Sequence, residues 1–381
     1  MHALTASPEM RLKPHAGPDD TNRGMSRLAA IASCCALLLA PVAFATNLVA
    51  EAAGASSRHG SVVPPKAWAK AEIRFVVAHR LMARSVARFR PNDTLTRGEL
   101  STLVAALTKQ PPVPPDDPSR VVTLAQLDSN LVRAIGLTDS AATFLSAARS
   151  AGLVVPARFG TETVTRMLGL RTNHPAKDDD LELLPGDPVT RAETAYSVAK
   201  ILRFGGWEQQ YVETAAATFV PADLSAWQKR ILNTAVRFVG LPYVWGGTSE
   251  HAEAPFGVNA RGGFDCSGFV WRVYKVQSYP GGAALKTTIR GRTTYQMSGE
   301  VPRSKRIAFA SLAPGDVVFF GSAGTRSRPS QVGHAGIYLG SGWMIHSSGQ
   351  GVAVTPLTGW YRQSFAWGRR PLAEAGLDDG I

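Results

Sequence analysis

The chain has 381 residues, 45% hydrophobic and 18% charged, and 41 lysines and arginines against 29 aspartates and glutamates give it a net charge of +12. That length leaves room for two or three domains, and the apolar share excludes an intrinsically disordered chain. The charge suits an anionic partner; none of the common nucleic-acid-binding motifs is present, which sets nucleic acid aside.

Residues 1–24 are polar. Ser26-Arg27 then precede an apolar run from Leu28 to Val42 that ends in Ala43-Phe44-Ala45, the pattern of a cleaved signal peptide with Met25 as an alternative start. We expect residues 1–45 to be removed on export, leaving no stable membrane span. Cys34 and Cys35 would leave with them, so Cys266 would be the one thiol of the mature chain, without a disulfide partner. Residues 46–65, rich in Ala, Ser and Gly, read as a flexible leader.

Residues 66–110 and 141–205 share a helix, loop, capped-helix pattern. Thr96 with Glu99, and Thr190 with Glu193, have the spacing of a capping box, in which each side chain satisfies an open N–H at a helix start. Residues 111–140 read as a Pro-rich linker and connecting segment, and 206–226 as a connector. The two units resemble S-layer homology repeats, whose hallmark is a loop ending in Thr-Arg-Ala-Glu; the first copy here reads Thr-Arg-Gly-Glu. The resemblance implies binding of an anionic secondary cell-wall polymer, with Arg97 and Arg191 holding anionic groups. Capping, with local ion pairs for both arginines, explains the same residues equally well.

In 227–372 the chemistry-bearing residues gather. Asp265-Cys266-Ser267-Gly268 stands before Phe269, Val270, Val273 and Val276, a helical apolar spacing that puts Cys266 in a first turn. Open N–H groups there are expected to lower the thiol pKa. His334-Ala-Gly-Ile-Tyr-Leu339 and Trp343-Met-Ile-His346 read as a hairpin closed by Gly340-Ser341-Gly342. If Leu339 faces Trp343, His346 falls opposite Gly336 on the sheet face of His334, the two Cβ atoms about 7–8 Å apart. One imidazole could then act as base and the other orient it. A zinc site built from the same three side chains is the rival chemistry.

Several motifs, in order, resemble the NlpC-type cell-wall peptidases, a papain-like family: Leu-Pro-Tyr243-Val-Trp-Gly-Gly247, Asp-Cys266-Ser-Gly-Phe-Val, Arg292-Thr-Thr-Tyr-Gln296, Leu312-Ala-Pro-Gly-Asp-Val-Val-Phe-Phe320, Gly333-His-Ala-Gly-Ile-Tyr338 and Met344-Ile-His346. The resemblance implies an α+β fold, a helix cluster on an antiparallel sheet, and a secreted, wall-associated enzyme, extracellular or periplasmic. It implies hydrolysis of peptidoglycan stem peptides between γ-D-glutamate and the diamino acid, with no cofactor or metal. Cys266 would attack, His334 transfer the proton, His346 orient His334, and Tyr243 bond the oxyanion. Asp265 and Ser267 would contact substrate, in particular the free amine of an N-terminal L-alanine; as residues they also suit helix capping. Two alternatives stay open: a wall-binding protein with an inactive peptidase scaffold, and a thiol amidase or acyltransferase on the same fold. The segment Thr248–Gly263 is a long insertion leading into the nucleophile, and 373–381 reads as a tail.

Overall fold

The computed structural model describes residues 67–171 and 182–378, so the expected signal peptide and leader lie outside the described residues. Among the described residues the N-terminal half carries seven α-helices: α1 (Lys70–Ala78), α2 (Arg97–Thr108), α3 (Leu124–Ala134), α4 (Thr138–Ser150), α5 (Phe159–Met167), α6 (Arg191–Leu202) and α7 (Trp207–Thr218).

Three of them begin in the same way. Thr96 caps α2, accepting the Glu99 N–H while Glu99 accepts the Thr96 N–H at 3.0 Å. Thr190 caps α6, accepting the Glu193 N–H at 3.1 Å. Thr123 caps α3 with Gln126 completing the box, because a glutamine oxygen accepts as a carboxylate does. This third device lies inside the stretch that reads as linker and connecting segment. Its arginine position holds Leu124, so it lacks the hallmark.

The buried residues just before the caps close a ring of backbone bonds: Leu95 N–H to Val189 O at 2.9 Å, Val189 N–H to Val122 O at 2.8 Å, and Val122 N–H to Leu95 O at 2.9 Å. Pro91, Pro118 and Pro185, each a few residues before a cap, accept from Ala192, Gly98 and Ala125 respectively. Orphan donors at the helix starts are satisfied by neighbouring loops in this way, which is how a buried loop avoids unpaired backbone groups.

The C-terminal half starts with α8 (Ala226–Val236), the two-residue pair β1 (Thr248–Ser249) and β2 (Gly263–Phe264), and α9 (Cys266–Trp271), which runs on as a π-helical turn over Arg272–Val276. A five-stranded antiparallel sheet follows, made of β3 (Val317–Gly321), β4 (Val332–Gly340), β5 (Trp343–Ser348), β6 (Gly351–Pro356) and β7 (Phe365–Arg369) in the order β6-β5-β4-β3-β7. The expected α+β architecture is the one observed.

The register of the histidine hairpin is the expected one, Ile337 opposite Ile345 and Tyr338 opposite Met344, with one change at its end. Leu339 is bulged, so Gly340 faces Trp343, and the turn closes through Ser341 at φ 50° and Gly342 at φ 79°. A bulge adds local twist without altering parity beyond it.

Phe269 and Val270 of α9 and Val273 of the π-helical turn pack with Ala335, Ile337 and Ile345 of the sheet in one core. That core continues into the N-terminal half. Phe144 of α4 and Phe219 meet Trp343 edge-on, with ring centroids 5.7 and 5.0 Å away. Arg166 of α5, fully buried, donates to Gly240 O at 2.9 Å and to Gln350 O, and is balanced by Glu162 and Glu182. A buried guanidinium is tolerable only with such pairing. The connector and the helices before it are therefore welded to the sheet.

Candidate active site

Cys266 is the first helical residue of α9, and its sulphur lies against the start of β4. The thiol sits 4.0 Å from Gly333 O and near the Ala335 N–H, the two residues that flank His334. His334 and His346 share the sheet face that carries Phe320 and Met344. His334 Nε2 lies 2.8 Å from His346 Nδ1, with the rings edge-to-face at 5.0 Å, and His346 Nε2 lies 3.0 Å from Thr355 Oγ1. The Nδ1 of His334 has no partner among the described residues.

For that Nδ1 to accept a thiol proton it must be bare, so the proton of neutral His334 sits on Nε2 and is donated to His346. His346 then carries its proton on Nε2 and donates to Thr355. One tautomer of each ring satisfies the whole chain.

Burial sets the charge state. It lowers His334 to about 4 and takes His346 well below the ordinary histidine range, the neighbouring ring adding to the second effect. It pushes the Cys266 thiol up to about 12, with Asp265 adding; N–H groups of Ala335 and Ser267, and the Arg292 charge, oppose it. The expected lowering at a helix start is thus present as a hydrogen bond but is outweighed by desolvation. At rest the thiol and both imidazoles are neutral.

Tyr243 bridges to Phe264, two residues before Cys266. Its hydroxyl has no hydrogen-bond partner among the described residues. Burial raises its pKa, and the charges of Cys266 and Asp265 add to the rise, which keeps it a protonated donor near the sulphur.

Asp265 is the N-cap of α9. Its oxygens accept from Gly268 N–H at 2.5 Å, Ser267 Oγ at 3.0 Å, Gly246 N–H at 3.0 Å and both terminal nitrogens of Arg292 at 3.1 Å. A carboxylate offers about four lone-pair positions, so none is left for a substrate amine. Ser267 Oγ also accepts from Arg292 at 2.7 Å. Gly268 permits this crowding, for a Cβ there would lie 1.9 Å from Gly247 O and 2.7 Å from an Arg292 nitrogen.

The repeat arginines differ from each other. Arg191 is buried and donates to Glu99 at 2.5 Å, Phe89 O at 2.8 Å and Met82 O. Arg97 makes no ion pair among the described residues and lines a cleft of about 570 Å³ with Gln126, Asn130 and Arg133.

Sequence reasoning misses Thr355 and assigns Arg292 no role. The signal for Thr355 is a single polar residue ending the run Val352-Ala-Val-Thr355, too short a pattern to stand out as a strand. Tyr361, whose ring is 5.2 Å from His346, is missed as well.

Residues 240–370 match the NlpC/P60 family, and residues 63–101 match the S-layer homology domain. The C-terminal domain is an NlpC/P60 domain. A probable peptidoglycan endopeptidase of Bacillus subtilis is 36% identical over 132 residues, 35% of this chain and 30% of the relative. The γ-D-glutamyl-L-lysine dipeptidyl-peptidase of the same organism is 28% identical over 182 residues, 48% of this chain and 51% of the relative. A murein DD-endopeptidase of Escherichia coli is 28% identical over 190 residues, 48% of this chain and 62% of the relative. The chain thus spans between about a third and two thirds of the length of these curated relatives. The match to the NlpC/P60 family covers every residue of the cysteine, histidine, histidine and threonine chain.

Proposed function

We propose that the chain is an exported cysteine endopeptidase that hydrolyses peptidoglycan stem peptides between γ-D-glutamate and the diamino acid. The observation that carries the reading is the hydrogen-bonded chain His334, His346, Thr355, which starts one residue after Gly333, whose carbonyl lies 4.0 Å from the Cys266 sulphur. The names of the relatives support the substrate class, and one of them names the γ-D-glutamyl bond.

Cys266 Sγ attacks the amide carbon while its proton passes to His334 Nδ1. Because burial disfavours both charged forms at rest, transfer accompanies attack instead of preceding it. His346 steadies the imidazolium through Nδ1, as third members of triads do. Tyr243 Oη and the Cys266 N–H stabilise the oxyanion; one such donor is worth about 3 kcal/mol. His334 returns the proton to the leaving amine, and water attacking the thioester frees the γ-D-glutamyl carboxylate and the thiol.

The repeats would hold the enzyme on the wall, a reading supported by the S-layer homology match. Arg97, which lines a cleft with Arg133, would meet the anionic polymer, whereas Arg191 is paired with Glu99. Co-sedimentation of a Cys266→Ala protein with walls, intact or stripped of secondary polymer, tests this. Binding lost on stripping and weakened by Arg97→Ala supports it; equal binding throughout refutes it.

The bond assignment is tested with a synthetic L-Ala-γ-D-Glu-diaminopimelate-D-Ala peptide and a D-Ala-to-diaminopimelate cross-linked dimer. Release of L-Ala-D-Glu from the first supports the proposal, and cutting of the cross-link alone overturns it.

A further inference from the structure

Two segments have to meet for the proposed chemistry: the Tyr243–Gly247 loop, which brings the phenol, and the first turn of α9, which brings the thiol and its N–H. Arg292, in the turn before the helix Thr294–Gly299, touches both. One terminal nitrogen donates to Asp265 Oδ1 at 3.1 Å and to Ser267 Oγ at 2.7 Å. The other donates to Asp265 Oδ2 at 3.1 Å and to the carbonyls of Gly246 and Gly247 at 3.0 and 3.2 Å. Its backbone N–H is held in turn by Gln296 at 3.0 Å.

We propose that Arg292 is a positioning residue that fastens the Tyr243 loop to the nucleophile helix and neutralises the Asp265 carboxylate beside Cys266. The geometry is that of a fork: a planar guanidinium can bond a carboxylate in two places and still reach two carbonyls, which a lysine ammonium cannot. Asp265 is needed as the helix cap, yet its negative charge is adjacent to an atom that must become a thiolate. A guanidinium on the same two oxygens leaves the cap and cancels the charge. The groups facing the thiol are Asp265 from its own helix start, Arg292, Tyr243 from the loop after α8, and His334 on β4 with His346 behind it. Of these, Arg292 is the only permanent cation.

The test uses the whole mature protein and needs no substrate. Cys266 is alkylated with iodoacetamide at pH 8 in wild type, Arg292→Met, Asp265→Asn and the double variant. Arg292→Met is expected to slow alkylation about tenfold, the thiolate fraction lost for one unit of thiol pKa when a neighbouring carboxylate is left uncompensated. The double variant is expected to recover to within about threefold of wild type, because the offending charge is gone. A loss that reflected only disordered packing would not be recovered by a second substitution. Should Arg292→Met fail to fold by circular dichroism, Arg292→Gln, which keeps donors toward Gly246 and Gly247, reads the same rate.

On a cleavable stem peptide, Arg292→Lys is expected to lower kcat about 100-fold with KM within about threefold, the pattern of misplaced catalytic groups. Unchanged alkylation and unchanged kcat in Arg292→Met would overturn the proposal. This inference rests on the peptidase reading for kcat alone: wild type that cuts no stem peptide, while the alkylation cycle behaves as described, removes that reading and leaves the clamp.

Discussion

Trp343 of β5 stands edge-on to Phe219 from the connector, ring centroids 5.0 Å apart and planes at 82°. Both side chains are buried, and Phe144 of α4 completes the contact. A fragment covering 220–381 would leave Trp343 bare on the sheet. We predict that such a fragment is aggregated or unfolded, whereas the chain from residue 63 unfolds in one transition. Trp343→Ala should cost about 3–5 kcal/mol. Urea titration of the three proteins checks this; a soluble, cooperatively folding 220–381 fragment would show the helices to be dispensable.

Thr355 is the last member of the hydrogen-bonded chain from His334 and lies on β6, a strand that brings no other polar group to the histidines among the described residues. Thr355→Val keeps the shape and removes the partner of His346 Nε2. We expect kcat to fall about 5–20-fold with KM unchanged, since one orienting hydrogen bond is worth about 1–2 kcal/mol. Serine at 355 should restore most of the rate. Equal kcat in wild type and Thr355→Val would mean that His346 orients without help.

The hairpin shows how far the sequence carries. Alternation along a strand fixes which side chains share a face, so the pairing of His334 with His346 is legible from residue spacing alone. The Leu339 bulge is not, because one inserted residue beside a turn leaves the parity of the rest unchanged. The place of Cys266 at a helix start is readable, but the direction of its pKa is not: desolvation depends on what covers the helix, and strands distant in sequence do the covering. Thr123 and Gln126 are hidden because Leu124 replaces the hallmark arginine and prolines crowd the preceding segment. Arg292 is visible only as a motif letter; its work depends on Asp265, Gly246 and Gly247 converging in space.

Acid should destabilise the protein through its histidines. His334 titrates near 4 when folded and near 6.5 when unfolded, so between those values the unfolded chain binds the extra proton. Its contribution is intact above about pH 6.5 and is lost as pH falls toward 4. With His334 only half-buried, we expect roughly 1–2 kcal/mol from it. Asp128 and Glu182, raised by burial to about 6 and 7, act in the opposite sense, so a variant lacking the ring serves as the reference. The urea midpoint at pH 5, taken relative to that at pH 7.5, should be higher in His334→Asn than in wild type. The same difference in both would show the ring to be protonated in the folded state.

Because every acceptor position of Asp265 is occupied, the site should not demand a free N-terminal amine. We predict that a stem peptide with an N-acetylated L-alanine is cut with kcat/KM within about threefold of the unblocked peptide, given that a lost charged hydrogen bond would cost about 1.5–3 kcal/mol, or at least tenfold. A preference of tenfold or more for the free amine would mean that Asp265 exchanges Arg292 for substrate on binding.

The most direct test of Cys266 as the nucleophile of a stem-peptide hydrolase is mass spectrometry of purified muropeptides incubated with the wild-type protein and with Cys266→Ala. New fragments ending in γ-D-glutamate, each pair heavier than its parent by one water and absent with the variant, are the predicted result. Fragments that persist with Cys266→Ala, or muropeptides left intact by wild type whose Cys266 is shown to be reduced, would contradict it.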